Sequence, residues 1–166
     1  MGNVTSSDRY IFDKPEMGAL NTFVNECVKE YFQSVYSPKN EVETYITQSW
    51  ANYTEPGQYH HKHEHPNSFI SGVLYLQAEK KSDRIYFYKS GYQQIKVPTE
   101  NYNLYNSDSW WFEVNTGDVV LFPSHLTHMV ETVKGDHTRI SIAFNVFLKG
   151  YIGDESSLTA LHLGAK

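Results

Sequence analysis

The chain has 166 residues, a net charge of −5 and a pI near 5.9, so no basic face points to nucleic acid as a primary ligand, and no apolar run approaches the length that crosses a bilayer. Thirteen Tyr, nine Phe and three Trp favour pleated, half-buried surfaces and predict a β-rich body, with one domain as the default at this length. The lone Cys27 leaves no disulfide framework and MGNVTSSDRY is no secretory signal, so an intracellular, reducing setting is expected.

Residues 1–12 read as a short polar lead. Asp13-Lys14-Pro15-Glu16 then predicts a helix start, with an acid as N-cap, proline in the first turn and glutamate at the capping-box offset. Met17, Leu20, Val24, Cys27 and Tyr31 follow at steps of three and four, which predicts an amphipathic helix over about 14–35, ended by Ser37-Pro38. Cys27 falls on the apolar stripe and is read as a packed side chain.

From Glu41 the period changes to two. Val42, Thr44, Ile46, Gln48 and Trp50 alternate with their neighbours in a strand that ends at the turn Thr54–Gly57. The next stretch, YHHKHEHPNSFISGVLYL, holds four of the eight histidines within six residues. If it is extended, His61, His63 and His65 share one face while Lys62 and Glu64 take the other. Two imidazoles at i and i+2 can reach one ion, but one strand supplies too few ligands, so a third must arrive by folding. His128, in FPSHLTHMV, is the best candidate.

Further strands are predicted over Phe69–Gln77, Arg84–Lys89, Tyr92–Val97, Trp110–Val114, Val119–Pro123, Leu126–Val133 and Arg139–Leu148. Residues 99–109 read as a loop near the site mouth, and the tail 149–166 shows no readable structure. About nine short strands after one helix, with turns at regular spacing, predict a sandwich or small barrel over about 41–148. In the last strand Arg139, Ser141, Ala143 and Asn145 share one face, and Ile140, Ile142 and Phe144 the other, which is expected to pack under the helix. An arginine aimed inward must meet an anion, and a carboxylate ligand is the natural partner, with the Ser141 hydroxyl beside it. The alternative is an arginine on a solvated face paired with a surface acid.

His63-Glu64-His65, the distal His128, and Arg139-Ile140-Ser141 after ten intervening residues resemble the iron(II)- and 2-oxoglutarate-dependent oxygenases. HEHPNSFISGVLYL, FPSHLTH and RISIAFN resemble more narrowly a small oxygenase family of phages and marine bacteria, over roughly Trp50–Phe147. The resemblance implies a double-stranded β-helix (jelly roll, cupin-like) with the N-terminal helix packed outside. It also implies iron(II) on His63, His65 and His128, and 2-oxoglutarate held at its far carboxylate by Arg139 and Ser141, with Tyr75 or Asn145 as a further hydrogen-bond donor. The expected reaction is a hydroxylase-type oxidation of a small molecule or peptide by dioxygen, with release of succinate and CO2, in the cytoplasm (the host's, if the chain is phage-encoded). A homodimer is left open.

One departure stands out. His65 occupies the position where the superfamily has Asp or Glu, so the ligand set is three neutral imidazoles, or else Glu64 supplies a carboxylate from a bent backbone. His60 and His61 read as neighbours of the site or surface residues, His125 as pointing away from His128, and His137 and His162 as turn and tail residues. HEHPN is not the H-E-x-x-H of zinc peptidases, because position 67 is Asn. The competing readings are a cupin-like three-histidine metalloenzyme that does not use 2-oxoglutarate, and a non-catalytic phage-associated β-domain.

Overall fold

The amphipathic segment forms a 3-10 turn (Pro15–Met17), the helix α1 (Gly18–Tyr31) and a wider last turn (Phe32–Tyr36) closed by Ser37 at φ 43°. This computed structural model describes residues 2–91, 95 and 97–164. The expected capping box does not form. Ile11–Asp13 makes its own 3-10 turn, and local backbone bonds from Lys14 to Ile11 and from Met17 to Lys14 take the place of a side-chain cap. Val24, Val28 and Phe32 form the buried stripe, and Cys27 is partly covered beside it.

The strands are β1 (Val4–Thr5), β2 (Val42–Thr54), β3 (His60–His63), β4 (Ile70–Gln77), β5 (Arg84–Tyr88), β6 (Ser109–Glu113), β7 (Val119–Pro123), β8 (His128–Val130), β9 (Arg139–Ile152) and β10 (Leu161–Leu163). They make two antiparallel sheets. One runs β1-β2-β9-β4-β7 with β10 also on β9; the other runs β3-β8-β5-β6. From β2 to β5 and again from β6 to β9 the chain crosses between the two sheets at every step, as in a jelly roll, while β1–β2, β5–β6 and β9–β10 pair within one sheet. No helix among the described residues is long and apolar enough to cross a membrane.

Strand β9 lies between β2 and β4 because both of its faces are covered. Ile142, Phe144, Val146 and Leu148 pack with Phe12, Val24, Val28 and Phe32 under α1, as the alternation predicts. On the inner face Ala143 joins Val73, Tyr75, Ile85, Phe122 and Val130 between the sheets. Each fully buried apolar side chain of this kind contributes roughly 1.5–3 kcal/mol. Gly72 faces Phe144 in register, and a Cβ at Gly72 would lie 2.1 Å from that ring, so glycine is what lets the helix-side core close.

Several boundaries differ from expectation. The lead carries β1, a two-residue strand too short to show a period, which pairs with β2 and adds a Thr5 hydroxyl hydrogen bond to Asn52. The predicted Leu126–Val133 strand shrinks to β8, because Ser124–Thr127 turns. Strand β9 continues past Leu148 and pairs with β10 in the tail. Tyr92, Gln93, Gln94 and Lys96 of the predicted Tyr92–Val97 strand lie outside the described residues, and Ile95 and Val97 are in no strand.

Candidate metal centre

Strand β3 pairs with β8 so that His63 faces His128, but the ladder shifts between His60 and His63. That irregularity breaks the expected alternation. His60 stacks on His63 with ring centroids 4.5 Å apart, whereas His61 is exposed and offers its backbone carbonyl to the site. Past the strand end, a turn with Asn67 at φ 57° reverses the chain, and His65 N donates to Ser124 O (3.0 Å). The imidazoles of His63, His65 and His128 come together there, with one nitrogen of each within 4.8 Å of the others.

In each ring Nδ1 faces an oxygen acceptor. His63 Nδ1 lies 2.7 Å from His61 O, His128 Nδ1 3.0 Å from Leu126 O, and His65 Nδ1 2.7 Å from Asn145 Oδ1. An acceptor opposite Nδ1 places the proton there and leaves Nε2 as a lone pair. Three lone pairs therefore converge, and His63 Nε2 and His65 Nε2 stand only 3.0 Å apart. With both nitrogens unprotonated that approach is repulsive unless a cation is shared, so the donor set itself fits a metal ion.

The support behind His65 extends well past Asn145. Ser71 Oγ lies 2.8 Å from His65 Nδ1 and 2.8 Å from Ser124 Oγ, Ser124 donates to Ser68 (2.8 Å), and Ser68 donates to Ile70 O (3.0 Å). Ser71 and Ser124 are buried, so this hydroxyl chain leaves His65 one orientation. Neither serine was singled out from sequence; the legible signal was Ser71's place in the ISGVLYL strand next to the histidine run.

Glu64 does not join the three imidazoles. It is exposed and accepts a hydrogen bond from the Thr127 hydroxyl, while the backbone turns His65 inward. Among the described residues the cluster is three imidazoles.

Burial lowers the histidine pKa values from the ordinary 6.5. His128 falls to about 3, through burial first and then the nearby His63 and His65; His60 also falls to about 3, through burial and its four histidine neighbours. His63 and His65 move down as well, again mainly through burial. The unfolded chain thus takes up protons near pH 6.5 that the fold refuses until about pH 3. The metal-free protein is therefore expected to lose stability as pH falls through that window. Urea unfolding midpoints measured between about pH 7 and about pH 4 should decrease steadily; a level or rising midpoint would refute the neutral, buried cluster.

Arg139 points inward and is 2% exposed, yet the anion it meets belongs to the protein. Its Nη1 donates to Asp83 Oδ1 (2.9 Å) and to Glu131 O (2.9 Å), and Asp83 is 0% exposed. A ligand carboxylate is therefore not its partner at Nη1, which the protein's own Asp83 occupies. Asp83 also accepts from His137 Nε2 (2.8 Å) and from the Glu79 N–H (2.9 Å), so His137 is more than a turn residue. Among the described residues, Arg139 Nη2 and the Tyr75 hydroxyl are buried without a hydrogen-bond partner. Ser141 lies opposite Tyr75 across the β4–β9 ladder, on the same inner face as Arg139 and Asn145. Two orphaned donors and a hydroxyl near one buried cation suit a carboxylate.

Residues 48–145, which contain the three histidines, Asp83, Arg139, Ser141 and Asn145, match the family described as "Putative 2OG-Fe(II) oxygenase". The chain belongs to this family. Among solved structures it is similar to an oxidoreductase of the 2OG-Fe(II) oxygenase family from Burkholderia pseudomallei (TM-score 0.52, 16% identity), covering 70% of this chain and 50% of that one. It is also similar to the non-heme alpha ketoglutarate dependent carbocyclase SnoK from nogalamycin biosynthesis (TM-score 0.47, 14% identity, 72% and 53% covered). A third is an oxalate decarboxylase of Bacillus subtilis (TM-score 0.44, 19% identity, 64% and 25% covered). The first of these supports the jelly-roll fold of an oxygenase-family member, and the chain spans about half the length of that structure. No curated protein matches the sequence.

Proposed function

We propose that the chain is an iron(II)- and 2-oxoglutarate-dependent oxygenase whose metal is held by His63, His65 and His128. The observation that carries this reading is the convergence of three Nε2 lone pairs, each set by an acceptor at Nδ1. When bound, the iron and its co-substrate would couple dioxygen reduction to oxidative decarboxylation of 2-oxoglutarate to succinate, and so oxidise a second molecule. The chain's own task is to hold those groups. Asn145 and Ser71 fix His65, while Arg139 Nη2 and the Tyr75 hydroxyl, with Ser141 alongside, receive the distal carboxylate. Phe122 and Phe87 pack on His128 at 4.6 and 6.3 Å between ring centroids and keep water from its inner side. The same two rings belong to an apolar groove of about 590 Å³ between β6 and β7, with Trp110, Phe112 and Leu104, whose size suits a small organic substrate or a side chain of a peptide.

The test is an anaerobic titration. Protein given iron(II) and then 2-oxoglutarate is expected to develop a weak visible metal-to-ligand charge-transfer band, and to release succinate when air and a substrate are supplied. A second reading is favoured by the Asp83–Arg139 pair, which already supplies the arginine with a counter-ion. In that reading the site is a three-histidine metal centre that does not use 2-oxoglutarate. Tight iron(II) binding with no charge-transfer band would select it.

A further inference from the structure

The environment of Arg139 carries a more specific conclusion, which rests on the co-substrate reading above. The guanidinium has two edges with different surroundings. Nη1 is committed to Asp83 Oδ1 and Glu131 O, while Nη2 is buried and unpaired. The Tyr75 hydroxyl, also buried and unpaired, feels the charges of both Arg139 and Asp83. Asp83 itself is held from three sides, by Arg139, by His137 Nε2 and by the Glu79 N–H, so it cannot swing away when a ligand arrives. His137 in turn has its Nδ1 3.5 Å from Glu79 Oε2.

We infer that Asp83 is a resident counter-ion and positioning residue for the co-substrate site: it pins one edge of Arg139, turns the other toward the ligand, and weakens the attraction that an incoming carboxylate feels. The reasoning is electrostatic. Arg139 and Asp83 sum to zero formal charge, so a ligand carboxylate arriving at Nη2 shares the guanidinium with an anion already in place. Its grip then comes from directed hydrogen bonds at Nη2 and Tyr75 more than from net charge. A lysine could not do this, because one ammonium cannot face Asp83 and a ligand on opposite edges as a guanidinium does.

The experiment compares two keto acids on manganese(II)-loaded protein by calorimetry: 2-oxoglutarate, and 2-oxobutyrate, which has the same chelating end without the distal carboxylate. Their affinity ratio isolates recognition of that carboxylate. In Asp83→Asn the ratio in favour of 2-oxoglutarate is expected to rise about tenfold or more, since a competing charge is removed while an oxygen remains for Nη1. In Arg139→Lys, which keeps the buried ion pair and hence the fold, the ratio is expected to fall about tenfold with 2-oxobutyrate binding unchanged. An Asp83→Asn ratio that stays level or falls, or an Arg139→Lys ratio equal to that of the parent, would overturn the role of Asp83. If the parent protein itself binds the two acids equally, the co-substrate reading fails and this inference with it.

Discussion

Replacing His128 with alanine is expected to abolish iron(II) binding and, with it, succinate formation. His128 is the most enclosed member of the cluster at 3% exposure, and the one supplied by a strand remote from the His63-Glu64-His65 run. Without it two imidazoles remain, below the three protein ligands usual for a catalytic site, so the loss should exceed the roughly 10–100-fold that follows removal of a merely supporting residue. The fold should survive, because the ring contributes no charge when neutral and its neighbours Phe122, Phe87 and His63 can close on the gap. Equilibrium dialysis with iron(II), alongside near-ultraviolet circular dichroism, checks both halves; a folded variant that still holds one iron per chain would remove the metal centre from this account.

Arg139→Ala has a different signature, and a large one. Deleting the guanidinium leaves the Asp83 carboxylate, at 0% exposure, with only His137 and one backbone N–H. Breaking a buried pair by removing one partner costs about 3–5 kcal/mol, because the remaining charge stays buried without compensation. Urea denaturation should show a loss of that order. 2-Oxoglutarate affinity should fall far more than iron(II) affinity, since Arg139 bonds to Asp83 and Glu131 and to none of the three histidines. The double variant Arg139→Ala with Asp83→Ala should recover much of the stability but none of the co-substrate affinity. Equal losses of iron and 2-oxoglutarate in the single variant would count against a co-substrate role, and an unchanged unfolding midpoint would contradict the buried pair.

Much of this architecture is legible because it is repetitive. The period-two runs at Val42–Thr54 and Arg139–Leu148, and the three-and-four steps from Met17 to Tyr31, each record one face turned to a core, so their type and facing follow from local chemistry, while the apolar run Val119–Pro123 marks a strand. Strands of two or three residues are too short to show a period, which is why β1 and β10 escape a reading of side chains. The order His63, His65, His128, Arg139 was equally visible as motif and spacing. What spacing could not express was the break between His60 and His63, which stacks His60 on His63 at 4.5 Å and leaves His61 exposed with its ring 5.0 Å from His63.

By itself, then, the amino-acid order determined a helix beside a β-rich body, the histidine segments in their sequence, and an arginine sharing one face of the last long strand with Ser141 and Asn145, all consequences of periodicity and short-range spacing. The tertiary structure alone decided the partners: Asn145 and Ser71 behind His65, Glu64 turned to Thr127, and Asp83 against Arg139 across 56 positions. The reason is physical. A strand's alternation states which way a side chain points, but the group it meets there depends on register between strands far apart in the chain, and that is set only when the two sheets close around one interior.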